Sequence, residues 1–195
     1  MNRQPFRTPP HWWSPKLSPG WIRFWWPVRK RLQLKEQRLL EVELRGGENL
    51  RGALAVDQGV LITPNHPGHA DCYAFHGAMD QVGCICHFMI AWQVFQRGNW
   101  LKRLALRHHG CFSVDREGTD MRAFRQAVDL LASSRYPLVV FPEGEVYHCS
   151  ERITPFREGP AAMALMAARK GPRPTVLVPC GMKYHYLDDP TPRLL

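Results

Sequence analysis

The chain has no uncharged apolar run of the roughly 18 residues that a membrane-crossing helix needs. The nearest candidate, 81–96, is shorter and includes His87 and Gln93, so it reads as core. No apolar stretch follows the first basic residues, so no secretory signal peptide is expected. A reduced, cytosolic setting is therefore expected, with the six cysteines at 72, 84, 86, 111, 149 and 180 acting as small buried hydrophobes. No second ligand pair accompanies Cys84, Cys86 and His87 at zinc-like spacing, so no metal is expected. The G-x-S-x-G elbow of serine hydrolases is missing, as are internal repeats and low-complexity tracts.

Acidic residues are missing from the start of the chain. Arg3, Arg7, Lys16, Arg23, Arg29, Lys30, Arg31 and Lys35 all precede the first acidic residue, Glu36, and account for most of the formal net charge of +9. Trp12, Trp13, Trp21, Trp25 and Trp26 share that stretch. Tryptophan favours the lipid headgroup layer, and neighbouring Lys and Arg are each worth about 1 kcal/mol near an anionic surface. Residues 1–36 are thus expected to lie on a membrane, peripherally or monotopically at its cytoplasmic face, rather than to cross it. Two other readings stay open: a basic arm whose tryptophans pack back onto the domain, and a nucleic-acid contact, the least favoured. Prolines at 5, 9, 10, 15, 19 and 27 argue against one clean helix.

From 37 to 195 the texture changes to that of one α/β domain. Strands are expected at 39–44, 59–63, 84–91, 111–114, 138–141 and 175–179. A turn at Gly46-Gly47 should close the first of them. Helices are expected at 67–79, at 94–107, after an N-cap at Thr119, and at 159–170. This alternation implies a mainly parallel sheet covered by helices, with reactive groups on loops beyond the strands' carboxyl ends. His66, Arg116 and Glu143 all fall at such positions.

In NHPGHAD (65–71) a His stands just before a helix and an Asp follows five residues later. Asp71 can accept the imidazole N–H of His66 and fix its tautomer, leaving the other nitrogen free to take a proton from an alcohol. The pattern is followed by GCFSVDR (110–116), VFPEGE (140–145) and VLVPCG (176–181). The series, spanning about 39 to 181, resembles the glycerolipid O-acyltransferase family, typified by lysophosphatidate acyltransferases.

The resemblance implies a glycerol-3-phosphate acyltransferase-like α/β fold. It also implies transfer of a fatty acyl group from acyl-CoA or acyl carrier protein to a lysophospholipid-like hydroxyl, as in phospholipid biosynthesis. The thioester is a co-substrate, and no cofactor is required. His66 would be the general base and Asp71 its orienting partner. Amides near Gly68–Ala70 would serve the oxyanion, Arg116 would contact acceptor phosphate, and Glu143 and Gly144 would belong to the acceptor site.

The chain departs from the family where the third block usually continues Glu-Gly-Thr-Arg-Ser: Glu145, Val146 and Tyr147 follow Gly144, so the usual arginine is missing and a carboxylate is added. Arg152 and Arg157 are the available substitutes. A non-phosphate lipid alcohol as acceptor, thioester hydrolysis, and non-catalytic lipid binding remain alternatives. The chain ends at Leu195, shortly after the fourth block, where members of the family commonly continue.

Overall fold

The computed structural model describes residues 9–187, and its centre is a five-stranded sheet in which every pairing is parallel. Arg3, Arg7 and Pro5 lie outside the described residues. The strands are β1 (Gly59–Pro64), β2 (His87–Ala91), β3 (Cys111–Val114), β4 (Leu138–Val139) and β5 (Thr175–Cys180), in the spatial order β3-β2-β4-β1-β5. Side chains alternate between the faces, as a pleated strand requires. Leu61, Phe112 and Leu138 pack under helices α7 (Met121–Ser133) and α8 (Gly159–Lys170). Val60, Ile62, Phe88 and Val139 meet the opposite core with Leu50 of α3 (Gly47–Leu54), Phe75 and Met79 of α4 (Asp71–Val82) and Phe95 of α5 (Trp92–Gln96). Each fully buried Leu, Ile or Phe contributes about 1.5–3 kcal/mol.

Several elements differ from their sequence reading for identifiable reasons. Residues 39–44 form no strand and pair with none among the described residues. They run along α4 instead: an added Cβ at Gly77 would meet Val42 Cγ2 at 3.1 Å, and Gln81 Nε2 donates to the Val42 carbonyl at 2.7 Å. Gly46, at φ 72°, opens α3 rather than making the turn that closes a strand, because the left-handed region suits a residue without Cβ. The expected helix 94–107 is two, α5 and α6 (Trp100–His108), parted at Gly98 with Asn99 capping the Lys102 N–H. Asp120, one residue beyond Thr119, caps α7 by accepting from the Arg122 and Ala123 amides. The helix expected from 67 begins at Asp71, β2 begins at His87 rather than 84, and β4 is shorter than 138–141. The regular strand β3 and helix α8 keep the expected bounds.

Helices α1 (Pro19–Phe24) and α2 (Trp26–Lys35) precede the sheet. Trp12, Trp13, Trp21 and Trp25 are half-buried; Trp13 stacks on Phe95 with centroids 5.1 Å apart, and Trp21 lies 5.0 Å from His108. Trp12, Trp13 and Trp21 pack back onto the domain, and Trp25 lies against Trp21 with centroids 5.6 Å apart. Trp26 remains exposed, as do Phe24, Val28 and Leu34. Arg29, buried, forms an ion pair with Asp80 at 2.7 Å and anchors α2 to the last turns of α4. No helix among the described residues is long and apolar enough to cross a membrane.

Buried histidines give the domain an acid sensitivity. Burial, reinforced by the charge of Arg29 and then His109, holds His76 well below its ordinary range. Burial also pulls His87 down to about 4 and lowers His109. These rings are neutral when folded, whereas the unfolded chain takes up protons below about pH 6.5. Their contribution to stability is therefore complete above that pH and is lost as pH falls toward 4. The urea midpoint should hold between pH 8 and 7 and drop by pH 5, with a smaller drop in His87→Gln. A midpoint flat from pH 8 to 5 would contradict this account.

Candidate active site

The carboxyl ends of β1, β3 and β4 deliver three loops to one end of the sheet. β1 carries His66, β3 carries Arg116, and β4 carries Glu143 and Gly144. The His66 loop holds its shape through Asp71, which is fully buried at the first position of α4. Asp71 Oδ2 accepts from His66 Nδ1 at 2.6 Å and from the Gly68 N–H at 3.0 Å. Its Oδ1 accepts from the Tyr184 hydroxyl at 2.5 Å. Three donors on one buried carboxylate fix both its rotamer and the ring it faces.

That ring is one-fifth exposed and lies over Phe141 with centroids 4.1 Å apart. With Nδ1 committed to the carboxylate, Nε2 is the nitrogen left for a substrate proton. The Gly68 amide, one of the expected oxyanion donors, is spent on Asp71. His69 and Ala70 N–H groups have no bonded partner among the described residues. They are the pair left to serve an oxyanion.

Glu143 is almost wholly buried. Its Oε1 accepts from the His66 backbone N–H at 3.3 Å and its Oε2 from the Thr154 hydroxyl at 2.7 Å. The Tyr147 N–H returns to the His66 carbonyl at 3.2 Å. Oε1 therefore holds the loop that carries His66 while Oε2 is taken by Thr154, so Glu143 is placed to position that loop rather than to reach outward.

Gly144 sits at φ 76°, and a Cβ there would fall 2.3 Å from Arg157 Nε. Arg116 Nη1 donates to the Gly144 carbonyl at 2.6 Å, while its Nε is buried with no partner among the described residues. Arg157 Nη2 reaches Glu145 at 3.4 Å, and Arg152 is exposed. Two guanidinium groups thus flank the Gly144 turn, and the added carboxylate of Glu145 sits against one of them.

The structure brings His66, Asp71, Arg116, Glu143 and Gly144 together as one group. It adds residues the sequence did not single out. Tyr184 closes the second oxygen of Asp71, and burial, with the hydrogen bond to Asp71 and the charge it carries, pushes its phenol well above the ordinary range. Asn65 clamps the same terminal segment, donating to the Met182 carbonyl at 3.0 Å and accepting from the Met182 N–H at 2.5 Å. A tyrosine just past the fourth block carries no periodicity or spacing that would mark it. Only the return of the chain past β5 puts it beside Asp71.

The sequence model of one protein family, described as Acyltransferase, matches residues 41–183, well over half of the chain. Comparison with curated proteins finds none that matches.

Proposed function

The chain belongs to the acyltransferase family, and on that premise we propose that it moves a fatty acyl group from a thioester onto the hydroxyl of a lysophospholipid-like acceptor. The donor is acyl-CoA or acyl-acyl carrier protein, and His66 is the general base. The observation that carries this reading is the 2.6 Å contact between His66 Nδ1 and an Asp71 carboxylate that is fully buried and held by three donors.

The reaction follows from that contact. His66 Nε2 takes the acceptor's hydroxyl proton as the oxygen attacks the thioester carbonyl carbon. The imidazolium so formed is stabilised by Asp71 across the Nδ1 hydrogen bond. The tetrahedral intermediate places its negative oxygen toward the His69 and Ala70 amides. Collapse breaks the carbon–sulfur bond, and the thiolate leaves with the proton that His66 returns. No acyl-enzyme is formed, and general-base help of this kind is worth about 10²–10⁴-fold.

Arg116 is proposed to hold the acceptor phosphate, for which a forked guanidinium is suited. Arg157 supplies a second guanidinium beside the same turn, where Val146 leaves the chain without the usual arginine. This supports a phosphate-bearing acceptor despite Glu145. Glu143 and Gly144 act through geometry, the first by bonding the His66 backbone and the second by allowing the tight turn.

We also propose that the enzyme works at an anionic membrane surface on the cytoplasmic side, in phospholipid biosynthesis. Residues 1–36 are the attracting segment and 37–195 the catalytic domain. Exposed Phe24, Trp26, Val28 and Leu34 among Arg23, Arg31 and Lys35 support it.

The test is release of free thiol from a long-chain acyl-CoA and from acyl-acyl carrier protein, with and without a panel of lyso-lipids in vesicles. Release that requires one acceptor supports acyl transfer and names the substrate. Equal release without any acceptor would replace the reading with thioester hydrolysis.

A further inference from the structure

Residues 81–114 contain no Asp or Glu, yet they hold Arg97, Lys102, Arg103 and Arg107. Within this stretch α5 leaves directly from Ala91, the last residue of β2, at the same end of the sheet as the loops carrying His66, Arg116 and Glu143. α6 then runs back toward β3, so its first residues stand at the site end and its last at the other. It lies beside α4, with the rings of His109 and His76 5.9 Å apart. Burial pushes the Cys72 thiol up to about 11, and among the smaller opposing influences is the charge of Lys102. Lys102 is thus close enough to be felt one residue from Asp71.

The turn between α5 and α6 presents an apolar tip. Trp92 and Phe95 turn into the core, while Val94, Trp100 and Leu101 are exposed at 40%, 73% and 47%. This exposure belongs to a braced structure. Arg103 Nε donates to the Phe95 carbonyl at 3.1 Å and its Nη2 to the Gln96 carbonyl at 3.2 Å. The stem of Lys102 packs over Gly98, and Asn99 caps α6. A rigidly held, outward tryptophan beside leucine, ringed by cations with no carboxylate in the stretch, suits the headgroup layer of an anionic bilayer.

The exposed residues of α1 and α2 stand elsewhere. Trp26 Nε1 donates to Asp80 at 3.0 Å, and Asp80 lies nine residues along α4 from Asp71. At 1.5 Å per residue that is roughly 14 Å toward the opposite end of the sheet. Lipid held by that patch alone would meet the molecule about that far from the end where His66 stands.

We propose that Val94, Trp100 and Leu101, with Arg97 and Lys102 around them, seat the site end of the sheet on an anionic lipid surface. The proposal rests on the reading that the acceptor is a lipid. The N-terminal segment attracts the protein; the α5–α6 turn orients it, so that an acceptor reaches His66 without leaving the bilayer.

The full chain, Trp100→Ser/Leu101→Ser and Phe24→Ser/Trp26→Ser are compared for co-sedimentation with vesicles of phosphatidylcholine, alone and mixed with phosphatidylglycerol. Each is also assayed for thiol release with vesicle-embedded acceptors and with short-chain monomeric substrates. Losing two interfacial apolar side chains should weaken binding to the mixed vesicles about tenfold or more. Turnover on embedded acceptors should fall in parallel, with turnover on monomeric substrates unchanged. Phe24→Ser/Trp26→Ser should weaken binding but keep the turnover of each bound molecule.

The proposal is overturned if Trp100→Ser/Leu101→Ser binds like the unaltered chain, or if phosphatidylcholine alone binds equally well. It is also overturned if the unaltered chain ignores vesicles and instead binds duplex DNA in a salt-sensitive way. Thiol release absent from every protein, even with monomeric substrates, would sink the enzymatic reading while the sedimentation arm still decides the surface.

Discussion

His66→Ala is expected to abolish acceptor-dependent thiol release, with a loss of about 10³-fold or more in kcat/KM, because no other base stands where Nε2 does. General-base catalysis accounts for about 10²–10⁴-fold, and losing the ring also removes the group that returns a proton to the thiolate. Binding should be little affected. The ring is partly exposed and packs on Phe141, while the loop's backbone is held independently through Glu143 and Tyr147. The variant should therefore stay folded, melt close to the parent and sediment with vesicles as before. A folded His66→Ala protein that retains a tenth or more of the parent's kcat/KM would eliminate His66 as the base.

Asp71→Asn should lower kcat by about 10²–10⁴-fold, in line with losing the charge that stabilises an imidazolium. The geometry says why the loss is mainly in rate. An asparagine oxygen turned toward His66 Nδ1 and the Gly68 N–H keeps both bonds, and its NH2 then faces the Tyr184 hydroxyl, which can rotate to accept. The fold and KM are therefore largely retained. Asp71→Ala removes every acceptor at once and leaves the Gly68 amide and Tyr184 hydroxyl unpartnered, at about 1–3 kcal/mol each, so its melting temperature should fall as well. Tyr184→Phe separates the two contributions. It leaves the contact with His66 intact but frees Oδ1, and kcat should fall about tenfold with KM nearly unchanged. Equal kcat in Asp71→Asn and the parent would show that the His66–Asp71 contact is structural only.

How far the sequence reached depended on whether a signal was local. The apolar run of β1 and the helical spacing of α7 and α8 are set by nearby residues, so these elements fall close to where they were expected. Residues 39–44 alternate as well as many strands do, but a strand exists only with a partner. Their apolar side meets Gly77 of α4 instead. Thr119 and Asp120 are both acceptable caps by type; which one faces the first amides of α7 is settled by the chain's path.

The same division runs through the site. By itself the sequence determined the α/β alternation, a His and an Asp five residues apart beyond a buried strand, and a combination of four blocks that resembles one acyltransferase family. Those are properties of order and spacing, carried by neighbours along the chain. Only the tertiary structure decided what surrounds them. It turned Glu143 inward onto the His66 backbone, brought Arg157 to the Gly144 turn that Val146 leaves without an arginine, and folded the segment after β5 back so that Tyr184 completes the partners of Asp71. It also packed three N-terminal tryptophans, Trp12, Trp13 and Trp21, onto the domain and left Trp100 exposed at the end of the sheet where His66 stands. Such contacts join residues as distant along the chain as Asp71 and Tyr184, 113 positions apart. They are fixed by which strands pair and which way loops return, quantities that no local pattern of side chains encodes.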